Sequence, residues 1–247
     1  MRGVRQLALV IVWAVLVPVG SVAQEQAERS KPVMDDRIYG MLLVDQLEHG
    51  FDHPANTLRF NGLAWIGGDY NRLWINTEGT KRYSGALEDA DVQALYGRLI
   101  APFWDLQGGV RYFRPRPNAP SRGAAVLGIQ GLAPYWFEVQ AAAFISHKGE
   151  VSGRVEVEYD LRLTQRLIAQ PRVETNIAVQ SVRELGIGRG FTDGEFGLRL
   201  RYEIRREFAP YVGVVWTGKF GQTADFARAY GEPVRNLGLV LGVRMWR

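Results

Sequence analysis

The stretch GLRLRYEIRRE, Gly197–Glu207, carries a charge at almost every second position. Arg199, Arg201, Glu203 and Arg205 share one parity; Leu198, Leu200, Tyr202 and Ile204 share the other. Strand side chains alternate faces with period two, so this is a ribbon with one charged face and one apolar face. Apolar side in and charge out describes a soluble barrel or sandwich. Apolar side out and charge in describes a strand crossing a bilayer. The stretch alone does not choose, but its surroundings do.

The same alternation recurs along the chain. In VSGRVEVEYDLRL, Val151, Val155, Val157, Tyr159, Leu161 and Leu163 oppose Arg154, Glu156, Glu158, Asp160 and Arg162. FWDLQGGVRYF sets Leu106, Val110 and Tyr112 against Asp105, Gln107 and Arg111, and PRVETNIAVQ sets Val173, Ile177 and Val179 against Arg172, Glu174, Asn176 and Gln180. Strict alternation over such lengths is the signal of a strand. Twelve segments are predicted at 38–48, 57–67, 71–80, 89–100, 104–114, 122–132, 135–146, 151–163, 166–180, 193–206, 209–219 and 235–246. Most run to about 9–13 residues, against about 5–6 for an ordinary strand, and that is the length a tilted strand needs to cross a membrane. The first is the least regular, because Met41–Val44 is a continuous apolar run; without it and a neighbour the count is 10.

Connections between these segments alternate between tight (GGDYN, APFW, APYW, LTQR, REFAPY) and longer (EHGFDHPAN, TKRYSGALED, RPRPNAPSR, SHKGE, SVRELGIGRGF, GQTADFARAYGEP). Short turns on one side and long loops on the other is the arrangement of bacterial outer-membrane barrels, with the short turns periplasmic. Three tight turns combine proline, which reverses the chain without needing a ladder donor, with aromatic residues: Ala101-Pro102-Phe103-Trp104, Ala133-Pro134-Tyr135-Trp136 and Ala209-Pro210-Tyr211. Such rings suit the headgroup level. In hydrocarbon every backbone polar group must be paired, which strands achieve only in a closed barrel. The expected fold is therefore all-β: a closed antiparallel transmembrane β-barrel of about 12 strands, with the leucine–tyrosine face of Gly197–Glu207 toward lipid and the arginine–glutamate face toward the lumen.

MRGVRQLALVIVWAVLVPVGSVAQ, at the start, has Arg2 and Arg5, an apolar run from Leu7 to Val17 and small residues ending in Ser21-Val22-Ala23. This is read as a secretory signal peptide cleaved near Ala23, giving 1–23 as signal, 24–36 as a short periplasmic segment and 37–247 as the barrel in the bacterial outer membrane. Cleavage would take Lys+Arg from 30 to 28 while Asp+Glu stays at 26, so the net charge falls from +4 to +2. A nearly balanced exported chain is no nucleic-acid binder. With no cysteine, disulfides and thiolate metal sites are excluded.

Enzyme signals are thin. His49, His53 and His147 are the histidines, and no Gly-x-Ser-x-Gly elbow accompanies them, so the chain is expected not to be an enzyme. DQLEHGFDHP brings Asp45, Glu48, His49, Asp52 and His53 close in sequence. Two imidazoles four residues apart can share a metal on a helix, and carboxylates add oxygen ligands; the competing reading is a solvated polar loop. Methionine is the soft ligand for Cu(I), and Met34, Met41 and Met245 follow the signal segment. Lumen-facing parity is predicted for Arg154, Glu156, Glu158, Asp160, Arg162, Arg172, Glu174, Glu195, Arg199, Arg201, Glu203 and Arg205. Opposite charges on neighbouring strands pair, which would close a narrow pore; the same rows could instead line a hydrophilic cation path.

DDRIYGMLLVDQLEH, WIGGDYNRLWINTEG, DADVQALYGRLIAPFWDLQGGVRY, GIQGLAPYWFEVQAAAFIS, YDLRLTQRLIAQPRVETN and GLRLRYEIRREFAPYVGVVW together resemble the copper resistance protein B family, from about Met34 to the C-terminus. The resemblance implies an outer-membrane barrel that binds copper ions or passes them across the membrane, beside periplasmic copper-handling proteins. Candidate ligands are then Met34, Met41, His49, His53 and His147 with lumen carboxylates. Members of that family often carry a methionine- and histidine-rich segment before the barrel; here the interval reads QEQAERSKPVMDDR, with Met34 its one soft ligand. The alternative is a structural or non-selective small-solute barrel with a charge-paired lumen.

Overall fold

The computed structural model describes residues 37–51, 56–83, 87–117 and 119–247. The signal and periplasmic segments expected before residue 37, with Met34, lie outside the described residues, as do Asp52 and His53.

Strands run in chain order as β1 (Tyr39–Phe51), β2 (Thr57–Gly67), β3 (Asn71–Arg82), β4 (Leu87–Ala101), β5 (Trp104–Arg114), β6 (Arg122–Ala133), β7 (Phe137–Ser146), β8 (Val151–Glu158), β9 (Leu161–Arg162), β10 (Leu167–Ala178), β11 (Gly190–Tyr202), β12 (Phe208–Lys219) and β13 (Arg235–Trp246). Sequence neighbours pair antiparallel, except that β8 and β9 both pair with β10 and not with each other, and β1 also pairs with β13, from Leu43↔Trp246 to Phe51↔Leu239. The sheet is thereby closed, with no free edge for another chain to join. The two-residue β9 continues β8 after the break at Tyr159-Asp160 and pairs with the same partner, β10. The barrel thus has twelve walls, as the alternation predicts, and the count of 10 is set aside.

The decisive stretch divides as expected. Leu198, Leu200 and Tyr202 are 47%, 40% and 46% exposed, whereas Arg199 and Arg201 are each 2% exposed. On β13 and β5 the exposed side chains are likewise the apolar ones, Leu237, Leu239, Leu241, Leu106, Val110 and Tyr112. This inside-out distribution is stable only if the outer face meets hydrocarbon.

Two departures have local causes. In β1 the ladder slips between Val44 and Gln46, a β-bulge that inserts one extra residue and resets the parity. Met41, Leu43 and Asp45 line the lumen before it, and Glu48 is buried after it while Leu47 and Phe51 are exposed. The apolar run that blurs this strand in the sequence holds two inward and two outward residues. Second, the connection GQTADFARAYGEP contains helix α1 (Gly221–Ala229), which buries Thr223, Ala224 and Ala227; nine residues show too few turns for a periodicity argument.

The lumen wall is not uniformly polar. Trp74, Leu95, Ala124, Val126 and Phe144 form an apolar cluster on β3–β7, joined by Leu63, Trp65, Phe113 and Ala142. Half the wall packs like an ordinary core, and the charged rows occupy the other half.

Candidate functional site: the barrel lumen

Arginines inside the barrel do not stand in water-filled rows; they interlock. Arg172 on β10 donates from Nε and Nη2 to both oxygens of Glu156 on β8, at 2.8 and 2.7 Å, and also reaches Glu174 at 3.0 Å and Glu195 at 3.5 Å. It has to, because the ladder sets Glu156 opposite Glu174 and Glu174 opposite Glu195. Like charges directly opposite repel, and the guanidinium threaded among them offsets three carboxylates.

The network then crosses the lumen. Arg59 on β2 donates to Glu195 on β11 at 2.6 Å. Arg199 on β11 grips Glu48 on β1 with two hydrogen bonds of 3.1 Å, the paired geometry that makes arginine–carboxylate contacts strong. Arg154 on β8 bonds Glu78 on β3 across the barrel and lies 3.5 Å from Asp91 on β4 and 3.3 Å from Glu174. Arg111 on β5 completes the chain by donating to Asp91 at 2.8 Å. Opposite walls are thus tied at one level, toward the side of the long loops. Of the two readings of the charged rows, the geometry realises pairing.

A third hydrogen bond to Glu48 comes from a second group, the Tyr211 hydroxyl, at 3.1 Å. A Cβ built on Gly242 would stand 2.6 Å from the Tyr211 Oη and 2.8 Å from the Glu48 Cβ. Gly242→Ala is therefore expected to force this buried triad apart and cost about 1–3 kcal/mol, the range for overpacking a filled interior. The midpoint of urea unfolding in detergent checks it, and Gly231→Ala is no control because its φ is +70°; Gly108→Ala, with only a 3.9 Å contact, is.

On the periplasmic side of the network lies a cavity of about 300 Å³. Its wall near the short turns carries Met41, Asp45, Trp65, Glu138, Glu158 and Arg244. Asp45 pairs with Arg244 at 2.8 Å. Glu138 and Glu158 stand directly opposite each other on β7 and β8; Gln170 donates to Glu158 at 3.3 Å, but among the described residues no ion pair is formed by either glutamate. Arg244, engaged by Asp45, stands near both, and a further cation between the facing carboxylates would offset their mutual repulsion.

The candidate ligands do not converge. Met41 faces the cavity near the periplasmic end of β1. His49, near the other end, lies opposite Leu241 on the outward face; its Nδ1 is 3.1 Å from the Tyr83 hydroxyl and its ring packs edge-on against Phe51. The expected loop cluster of Asp45, Glu48 and His49 is instead part of β1, which runs to Phe51 and sends these side chains to two faces. His147 is exposed in the β7–β8 turn beside Gly123, six strands round the ring from His49. Among the described residues no group of three or more histidines or carboxylates has the geometry to hold a metal ion.

Of the residues predicted to line the lumen, Arg154, Glu156, Glu158, Arg172, Glu174, Glu195, Arg199 and Arg201 are inside. Asp160, in the break after β8, accepts from Arg201 at 2.6 Å. Glu203 lies past the end of β11 and is half-buried, while Arg162 and Arg205 are exposed at the periplasmic turns. Arg59, Glu78, Asp91, Arg111 and Glu138 complete the arrangement without having been singled out.

At the opposite end, Arg122 is clasped by loop carboxylates: Glu150 at 3.1 Å and Glu184 at 2.9 Å, with the Ser146 hydroxyl donating to Glu150 at 2.7 Å. Burial pushes the Glu150 carboxyl up, but the hydrogen bonds from Ser146 and Arg122 outweigh it and hold the group below its usual range. The hydrogen bond from Arg122, with Lys148 nearby, holds Glu184 low as well. A depressed carboxylate stabilises above the unfolded pKa and loses its contribution as pH falls through the folded one. The clasp is expected to hold above the usual carboxylate range of about 4.3 and to loosen only below it, read as cleavage between Arg183 and Arg189 by an acid-active protease that speeds up as the pH falls through that range.

Comparisons with known proteins agree with this architecture. The family model described as copper resistance protein B precursor matches residues 38–247. Copper resistance protein B of Escherichia coli is 45% identical over 215 residues, 87% of this chain and 71% of that protein. The copper resistance protein B homolog of Pseudomonas syringae pv. tomato is 42% identical over 214 residues, covering 87% and 72%. Among solved structures the NanC porin superposes with a TM-score of 0.55 at 11% identity, over 83% of this chain and 98% of that one, which shows a shared barrel fold. A match that spans every described strand, with relatives above 40% identity, places the chain in the copper resistance protein B family.

Proposed function

We propose that this barrel serves copper resistance at the outer membrane by holding copper ions in the periplasm-facing cavity of its lumen, as cargo to be bound or passed on and not as a catalytic cofactor. The family match over the whole barrel carries the copper assignment. The cavity wall supports the location: the facing carboxylates Glu138 and Glu158 are in no direct ion pair among the described residues, and Met41 adds a thioether, the soft ligand that suits Cu(I). Outer-membrane lipid surrounds the apolar outer face, and periplasmic copper-handling proteins would meet the barrel at the short-turn side.

The tied lumen favours a second reading, a closed or non-selective barrel whose charges serve only structure. Copper binding to detergent-purified barrel, by titration with Cu(I) and Cu(II), separates the two. A Met41→Leu/Glu138→Gln/Glu158→Gln variant is expected to bind at least about tenfold more weakly, a loss of about 1.4 kcal/mol, while His49→Ala/His147→Ala binds as the parent does. Equal affinity for zinc and copper in parent and variant would leave the structural reading standing.

A further inference from the structure

Arg116 belongs to the β5–β6 connection and Tyr230 follows α1 between β12 and β13, yet the guanidinium sits 4.0 Å from the centre of the tyrosine ring. β5 and β12 are six steps apart in a ring of twelve walls. Loops that rise from opposite walls therefore meet over the middle of the outer mouth. Arg116 also donates to the Glu184 carbonyl of the β10–β11 connection at 3.1 Å, and a third strut joins that connection to α1, where the Gly188 amide donates to the Thr223 hydroxyl at 2.8 Å. Leu185, Ala224 and Ala227 are buried within the assembly. Arg122, on the inner face of β6, is pinned from above by Glu184 and Glu150.

We propose that these connections form a gate that seals the lumen from the extracellular side, so that the cavity is filled from the periplasm. The gate's key contacts are Arg116 with Tyr230 and Arg122 with Glu184; the ion-pair network beneath is a second barrier in series. The asymmetry is specific: the cavity wall reaches Met41, Trp65, Glu138 and Arg244, all within three residues of the periplasmic ends of their strands, while its outer limit is set by Glu78, Asp91 and Arg154 of the network. No copper chemistry enters, so the inference stands or falls separately from the function proposed above.

The absence of cysteine makes a single introduced thiol a clean reporter. Ala124→Cys places one on the inner face beneath the gate, opposite Arg111 and Ser146; Gln140→Cys places one in the cavity wall. A membrane-impermeant maleimide applied to intact cells is expected to leave both unlabelled, and to label Gln140→Cys once it is admitted to the periplasm. Adding Arg116→Ala/Tyr230→Ala/Arg122→Gln to the Ala124→Cys chain is expected to raise labelling from outside by about tenfold, with heat-modifiable mobility confirming a folded barrel. Labelling of Ala124→Cys from outside at the same rate with the contacts intact would overturn the gate, and so would protection that persists in the folded triple variant. Failure of Gln140→Cys to label from the periplasm would overturn the direction of access.

Discussion

Replacing Arg172 with alanine is expected to destabilise the barrel by about 3–5 kcal/mol, the cost of leaving a buried charge without its partner. Glu156, Glu174 and Glu195 stand side by side in the ladder and share this guanidinium, and its removal leaves one of them with no arginine at all. Arg59 and Arg199 reach only Glu195 among them, and Arg154 only Glu174, so Glu156 loses its sole arginine. The measurement is the midpoint of urea unfolding in lipid vesicles, read by the mobility difference between folded and unfolded barrel. Arg172→Ala combined with Glu156→Gln should recover a large part of the loss, because the double variant removes the repulsion together with its remedy. A single variant as stable as the parent would mean that water screens the network, and that the lumen is an open aqueous channel.

The second large effect belongs to the other face. Leu198→Arg puts a charge on the lipid side of β11, one residue from the buried Arg199, and is expected to cost about 2–4 kcal/mol near the bilayer midplane. The same substitution in a soluble barrel would be nearly silent, since Leu198 is exposed. Comparing unfolding from vesicles with unfolding from a zwitterionic detergent micelle sharpens the test. A penalty under about 0.5 kcal/mol, typical of an innocuous surface change, would contradict the placement of this face in hydrocarbon.

Strand parity was legible almost residue by residue where one face is charged, as in Arg199 and Arg201 against Leu198 and Leu200. It failed in two places for physical reasons. In β1 the inner face is apolar near the periplasmic end, so both faces read alike until the bulge at Val44–Gln46. On β3, β4, β6 and β7 the lumen wall is a core of Trp74, Leu95, Val126 and Phe144, and amphipathic contrast vanishes when both sides are greasy, whereas β5 keeps it with Asp105, Gln107 and Arg111 inside. The candidate site was less legible. Glu48 and His49 are adjacent in sequence and look like a shared metal site, but a strand sends neighbours to opposite faces. Arg59 and Glu78 gave inward-parity charges that alternation alone could have found; their partners across the lumen are set by the circumference of the closed sheet, which no local pattern records. The helix at Gly221–Ala229 was missed because its loop is rich in glycine and polar residues.

Glu48 has a further consequence, one of time and not of structure. Its partners Arg199 and Tyr211 lie 151 and 163 residues further along the chain, and its strand finds its second neighbour only in β13. Contacts of such separation form late, because the loop entropy they demand must be met before they give anything back. A partly assembled barrel therefore carries a glutamate at its leading edge whose one early partner is the distant contact to Arg59 of β2, at 3.9 Å. That half-compensated charge disfavours premature closure onto a strand lacking an arginine, so the pairing that fastens the finished wall also serves as a check on its order of assembly.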